Sequence, residues 1–338
     1  MRCFDVCNGD ADGLCALRQL RLAEPRAAEL VAGLKRDIAL LERVAAQSGD
    51  RVTVLDVSLD RNRAALLALL DAGVHVEYFD HHAAHDAPRH PNLALTLDPS
   101  PCACTSILVD RHLGGRYRKW AVAGAFGDNL PDAARELAAG LGLGAAPVEM
   151  LRRLGEGINY NAYGESEADV LVPPAELYRL LARYADPLDL VQGEPLIERI
   201  ARQQEADLEL ALATRPRRLA PAVGIYALPD AAWSRRVSGI FANRLAADAP
   251  DRVHAVLTPR RDGTYQVSLR VPLGRTPDAA TFCAGFPTGG GRILAAGIDR
   301  LPAAGLAGFT DAVVDTWKEP CHAVEPSEWA ARHREDLG

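Results

Sequence analysis

No stretch of 18 consecutive apolar residues occurs in this 338-residue chain, so no membrane-spanning helix is expected. Paired cysteines are missing as well. The seven cysteines stand singly or as Cys102 and Cys104, a C-x-C with no second pair nearby. That pattern lacks the spacing of a four-ligand structural zinc site and points to reduced, mostly buried thiols. Positive charge is not in excess either. Lys and Arg number 38 against 45 Asp and Glu, for a net charge of −7. Such a balance argues against a protein that coats long duplex DNA by bulk electrostatics. It leaves room for a small anionic substrate held by a few local cations or metals. The N-terminal MRCFDVCNGD carries an acid at position 5 and no long apolar core, so a secretory signal is not expected and a cytoplasmic location is. There is no low-complexity run and no internal repeat.

What is present begins with an alternation. MRCFDV (1–6), RVTVLDVS (51–58), VHVEYFD (74–80) and KWAVAGAFGDN (119–129) read as strands. GLCALRQLRLAE and DRNRAALLALLDAG, which stops at Gly73, read as helices between them. Strands alternating with helices imply βαβ units and a parallel sheet. Residues 130–190 read as helical, and LIERIARQQEADLELAL as a long polar-rich connector with one apolar stripe. After TRPRRLAPA the character changes. VGIYALP is strand-like, HAVLTPRRDGTYQVSLRV is strand–turn–strand with Asp262-Gly263 at the turn, and TGGGRILAAGI reads as a glycine loop entering a helix. The expected organisation is a catalytic domain over 1–190, a linker helix over 191–212 and a smaller α/β domain over 213–338. The fold class is α/β, with a parallel sheet flanked by helices on both faces in the first domain.

Each of the four expected strands of the first half ends in an acid: Asp10 and Asp12, Asp56, Asp80, and Asp128. The carboxyl ends of parallel strands form the ligand crevice of an open α/β sheet, so these acids should converge. Taken alone, NGDADG is equally well a solvated turn, and Asp80-His81-His82 an ordinary polar loop. Together they pose a charge problem. Carboxylates that close repel, and several would have to protonate unless divalent cations neutralise them. Carboxylates plus imidazole without thiolate suit Mn²⁺, Mg²⁺ or Fe²⁺.

The set NGDADG (8–13), LDVS (55–58), FDHH (79–82) and GDN (127–129) resembles the four motifs of the DHH phosphoesterase superfamily. VSLRVP (267–272) and GFPTGGGRILAAGI (285–298) resemble its accessory DHHA1 domain. The likeness covers nearly the whole chain. It is specific to the superfamily, which includes RecJ-like exonucleases, oligoribonucleases and cyclic-dinucleotide phosphodiesterases, and not to one substrate. It implies two divalent ions, Mn²⁺ or alternatively Mg²⁺. Asp10 and Asp12 would each hold one, Asp56 would bridge them, and His81 and Asp128 would complete the second position. Asp80 would orient a histidine from behind, and His82 would face the phosphate. Asp56, Asp80 and His82 are thus the expected catalytic residues, with water activated between the metals. Gly289, Gly290, Gly291 and Arg292, with Arg270 and Asn243, would bind substrate. Two departures stand out. Val6 occupies the position where many members carry a histidine, and Asn8 stands where RecJ-like proteins carry a further acid. Asn8 is read as a turn-former before Gly9.

The implied activity is a metal-dependent phosphodiesterase that cuts short linear oligonucleotides or dinucleotides to mononucleotides. The acidic charge and the lack of a basic stripe favour short substrates. The alternatives are hydrolysis of cyclic dinucleotides, 3′-phosphoadenosine 5′-phosphate or polyphosphate, and a degenerate nucleotide-binding scaffold. Expected partners are the nucleotide substrate and no membrane or long duplex, with a homodimer left open. Other features take plain readings. Arg215, Arg217 and Arg218 belong to a solvated linker, His85 and His90 to a polar loop, Thr105 and Ser106 to a helix cap, and Tyr160 and Tyr163 to packing.

Overall fold

The computed structural model describes residues 1–319. They form two compact units, divided between Gln204 and Glu205. The first unit is built on a five-stranded, wholly parallel sheet. Its strands are β1 (Cys3–Asn8), β2 (Glu29–Gly33), β3 (Arg51–Leu55), β4 (His75–Asp80) and β5 (Leu93–Leu97), in the order β2-β1-β3-β4-β5. The order reverses direction between β1 and β3, and this reversal opens a crevice beyond their carboxyl ends.

Period-two alternation sends the strands' side chains to two faces. Phe4, Val6, Val52, Val54, Val76 and Tyr78 point to one face, where Leu66, Leu69 and Leu70 of helix α2 (Leu59–Asp71) cover them. Asp5 and Thr53 occupy the alternate positions, where Arg21 of helix α1 (Ala11–Ala23) reaches them. Its guanidinium donates to Asp5 Oδ1 at 2.7 Å and to Thr53 Oγ1 at 3.1 Å. Helices therefore lie on both faces, as expected.

Behind α1 pack α3 (Thr105–His112), α4 (Arg118–Gly127) and α6 (Ala145–Ala162), followed by α7 (Pro174–Leu181); α5 (Pro131–Ala139) lies between α4 and α6 in sequence, and α8 (Pro187–Gly193) follows α7. Small residues set this approach. A Cβ on Gly127 would come within 2.3 Å of Ala11 Cβ, and one on Gly155 within 2.0 Å of the Ala123 carbonyl oxygen.

The run 119–129 is this α4, not a fourth strand. Every residue from Trp120 to Gly127 is buried, so the segment is apolar all round and shows no helical stripe. β2 and β5, in turn, give little signal in the sequence, because neither is an uninterrupted apolar run.

Helix α9 (Pro195–Leu212) spans the division between the units. The second unit holds a six-stranded mixed sheet in the order β10-β11-β9-β8-β7-β6: β6 (Arg218–Leu219), β7 (Val223–Ala227), β8 (Val253–Pro259), β9 (Thr264–Arg270), β10 (Gly289–Gly291) and β11 (Ala295–Pro302). α10 (Ala232–Asp248), α11 (Ala279–Ala284) and α12 (Leu306–Thr316) complete it. β8 and β9 form the hairpin signalled by Asp262-Gly263, with Gly263 at φ +81°.

The glycine run does not enter a helix. Gly289, Gly290 and Gly291 pair antiparallel with Ile298, Gly297 and Ala296; Ile293 and Leu294 lie in the turn, and AAGI (295–298) begins the strand β11. Ala296 and Ile298, two apart, bury themselves in the core of this unit, as does Leu301 beyond a register shift in the pairing with β9, and this burial overrides helix propensity.

Candidate metal centre

The acids of the first unit do converge. Asp10 caps α1 at the carboxyl end of β1, its Oδ1 accepting from Gly13 N at 3.1 Å. Asn8 Oδ1 accepts from Asp10 N at 3.2 Å, which makes Asn8 a turn-former. Asp12, in the first turn of α1, is 1% exposed. Thr105 N and Ser106 N, the first amides of α3, donate to its Oδ2 and Oδ1 at 2.7 Å each, and the Ser106 hydroxyl donates to Oδ1. A helix N-terminus thus holds the Asp12 carboxylate. Thr105 and Ser106 grip an acid that lies 93 residues away from Thr105 in sequence, rather than capping their own helix.

Asp56 follows β3 in the left-handed region, at φ 57°. A non-glycine residue there is held against its preference, which commonly marks a functional position. Thr105 Oγ1 donates to Asp56 Oδ1 at 3.5 Å. Asp80 ends β4 fully buried. Its Oδ1 accepts from His81 N at 2.9 Å and lies 2.6 Å from His82 Nδ1, while Oδ2 accepts from Leu59 N at 3.3 Å. That contact fixes the His82 ring and turns Nε2 away from Asp80.

His81 Nε2 is the hub, 3.3 Å from Asp56 Oδ1, 3.8 Å from Asp128 Oδ2 and 3.9 Å from Asp12 Oδ2. Asp128 arrives from the C-cap of α4, so a helix end rather than a strand end delivers it. Donor atoms of Asp12, His81 and Asp128, and separately of Asp56, His81 and His82, lie within 4.8 Å of one another.

The electrostatics match the geometry. Burial, then the charges of Asp10, Asp12 and Asp128, push the Asp56 carboxyl well above the usual carboxylate range. Burial and the neighbouring Asp12 push Asp128 up to about 6. Asp128 Oδ2 is buried and has no hydrogen-bond partner among the described residues. Burial opposes protonation of His82, but Asp80 outweighs it and raises the pKa. An orphaned carboxylate oxygen beside two further acids and an imidazole is a donor set that fits a hard or borderline divalent cation.

Sequence reasoning missed Lys35. It lies two residues past β2 on the same rim, with Nζ 2.6 Å from Asp10 Oδ2 and 3.0 Å from Asn159 Oδ1. Burial opposes its charge, yet Asp10 together with Tyr163 and Asp128 holds its pKa well above normal. Had ELVAG been recognised as a parallel strand, the strand-end rule would have pointed to Lys35. His85 stays outside the cluster, 94% exposed and paired with Asp60 at 2.8 Å. Tyr160 is fully buried core.

In the second unit, Arg270 Nε donates to Asn243 Oδ1 at 2.7 Å, so these two candidates meet. Arg292 is exposed at the turn between β10 and β11, its backbone N donating to Ala295 O at 2.8 Å. Gly289 is partly buried, and Gly290 and Gly291 are exposed.

No family model and no curated protein matches the sequence. Solved structures do match in shape. An exonuclease RecJ bound to manganese is 20% identical, with 92% of this chain and 89% of that one covered and a TM-score of 0.59. RecJ from Thermus thermophilus in complex with Mn²⁺ is also 20% identical, over 96% of this chain but 53% of that one, with a TM-score of 0.60. This chain therefore spans about half the length of the Thermus protein. The pGpG-specific phosphodiesterase PggH from Vibrio cholerae is 14% identical, over 93% and 98%, with a TM-score of 0.55.

The chain has the RecJ fold. The fold implied by the resemblance to the DHH and DHHA1 domains is the fold found. In the RecJ fold as this chain builds it, the acid–imidazole cluster sits at the crevice where the parallel sheet changes direction. Among the described residues no helix is long and apolar enough to cross a membrane.

Proposed function

We propose that this protein is a hydrolase of phosphoric ester bonds, a metal-dependent phosphodiesterase that cuts short linear oligonucleotides or dinucleotides to mononucleotides. The observation that carries this reading is the crowding of Asp12, Asp56 and Asp128 around His81, with the Asp10 charge nearby, Asp56 and Asp128 driven up in pKa and Asp128 Oδ2 left without a partner among the described residues. Crowded carboxylates are stabilised by a divalent cation, and Asp12, Asp56, His81 and Asp128 would hold it. A divalent cation there supplies Lewis acidity toward a phosphoryl oxygen and lowers the pKa of water toward neutrality.

The chain's own groups do the rest. The amides of Thr105 and Ser106 keep the Asp12 carboxyl aimed into the crevice. Asp80 holds His82 with Nε2 outward and favours its protonated form, so Nε2–H can donate to a non-bridging phosphate oxygen as charge develops there. In the second unit, Arg292 and the exposed glycine edge at Gly290 and Gly291 contact the part of the nucleotide that does not react. The guanidinium of Arg270, held by Asn243, adds to that contact. The acidic net charge and the lack of a basic stripe favour short substrates over long strands.

The test is incubation with Mn²⁺ and a panel of linear dinucleotides, cyclic dinucleotides, 3′-phosphoadenosine 5′-phosphate, polyphosphate and longer single strands, followed by chromatography of the products. Linear dinucleotides should be converted fastest, to mononucleotides. Faster turnover of another member of the panel would reassign the substrate. No turnover of any member, with no metal bound, would leave a nucleotide-binding scaffold.

A further inference from the structure

The resemblance to the DHH superfamily implies two divalent ions, one of them on Asp10. The Asp10 side of the crevice is built differently from the His81 side. Where a histidine is common, Val6 is a fully buried apolar residue. Asn8 has committed its Oδ1 to the Asp10 amide. Both Asp10 oxygens already have partners, Gly13 N on Oδ1 and the Lys35 ammonium on Oδ2.

Lys35 is not a passing surface lysine. Its backbone N donates to Ala162 O at 3.1 Å, its Nζ donates to Asn159 Oδ1 at 3.0 Å, and Nζ lies 5.6 Å from the centre of the Tyr163 ring. Three contacts on the ammonium, from Asp10 at the cap of α1, Asn159 of α6 and the Tyr163 ring, and one on the Lys35 backbone, from Ala162, hold the ammonium on Asp10. A divalent ion bound to Asp10 Oδ2 at about 2.1 Å would lie at most about 4.7 Å from that ammonium, inside a poorly solvated crevice where like charges repel strongly. Among the described residues, both groups of acids and histidines with converging donor atoms contain His81, and neither contains Asp10.

We propose that the Lys35 ammonium takes the place of the second cation, so the centre binds a single divalent ion, on Asp12, Asp56, His81 and Asp128. This rests on the metal-dependent reading of the site above. A fixed ammonium supplies one positive charge beside the crevice without exchange with solvent, while the divalent ion supplies the Lewis acidity. Asp10 then positions Lys35 and is not a metal ligand.

Manganese binding tests this without reference to turnover. The folded full chain is equilibrated with Mn²⁺, the bound metal is counted per chain, and its electron paramagnetic resonance spectrum is recorded. Wild type is expected to hold one Mn²⁺ with the hyperfine pattern of an isolated ion. Lys35→Arg is expected to do the same. Lys35→Gln keeps a hydrogen-bond donor for Asp10 but loses the charge, and is expected to take up a second, weaker Mn²⁺ that is exchange-coupled to the first. Lys35→Ala serves as the second neutral variant, with circular dichroism confirming that each variant is folded. A coupled pair in wild type overturns the proposal and leaves the phosphodiesterase reading standing. Neutral Lys35 variants that stay at one ion also overturn it. No bound Mn²⁺ in wild type overturns the metal-dependent reading itself, and this proposal with it.

Discussion

Asp128→Asn should make the metal-free protein more stable while removing its activity. In the folded chain the Asp128 carboxyl is pushed from 3.8 to about 6, first by burial and then by Asp12. Two pKa units correspond to about 3 kcal/mol of preference for the protonated form. The Asp128 side chain is only 17% exposed, so solvent screening removes little of this, and about 2–3 kcal/mol is a fair expectation. The direction follows from linkage. A carboxyl whose folded pKa lies above its unfolded value leaves stability intact below pH 3.8 and costs stability as pH rises through about 6. Asparagine has no proton to lose and therefore escapes that cost. Its amide can also donate to a neighbouring carboxylate.

With chelator present near neutral pH, the melting transition of the first unit should rise by about 5–10 °C, since about 1 kcal/mol shifts a unit of this size by ~2–4 °C. The gain should shrink as the pH falls through about 6 and vanish below about 4. Added Mn²⁺ should reverse the order, because wild type keeps a ligand that the variant lacks. Calorimetry of both proteins across pH, with and without Mn²⁺, measures all of this. A variant that melts at or below wild type in chelator near neutral pH, or a gap that persists unchanged below pH 4, would refute the charge-crowding account.

Asp56→Ala should lower turnover by at least about 100-fold with the fold intact, as followed by circular dichroism, because it removes a ligand and also relieves the crowding of buried carboxylates; a loss smaller than tenfold counts against Asp56 as a ligand. Asp80→Asn should move the alkaline limb of the kcat profile to lower pH. Asp80 is what raises the His82 pKa, and the protonated His82 persists to higher pH only while that carboxylate faces it; an unmoved limb would dissociate His82 from the reaction. Arg292→Ala should raise KM more than it lowers kcat, because the exposed guanidinium meets the non-reacting end of the substrate; equal losses in kcat and kcat/KM would show that it acts on the transition state instead.

The sequence exposed the cluster because most of its members sit at strand ends. β1, β3 and β4 carry β-branched and aromatic runs that stop at an acid, and a parallel sheet must bring those stops to one rim. Asp128 was found for a partly wrong reason. The run before it is a helix buried on all sides, which shares with a buried strand the one property a sequence displays, unbroken apolarity. The glycine run failed for the converse reason. Three glycines before ILAAGI satisfy the pattern of a helix start, but pairing with β9 and burial of Ala296 and Ile298 fix residues 295–298 as strand, and such long-range pairing leaves no local trace. Thr105, Ser106 and Lys35 were hidden more deeply. Their roles depend on partners 93, 94 and 25 residues away, and nothing in their immediate neighbours distinguishes a cap from a carboxylate clamp. These partly hidden contacts divide the crevice into two halves. Backbone amides and a hydroxyl grip Asp12 and leave its negative charge available to a cation, whereas an ammonium grips Asp10 and consumes its charge. The acids alone, read from motifs, look symmetric. On the single-ion proposal, the groups behind them favour the His81 side for a divalent ion.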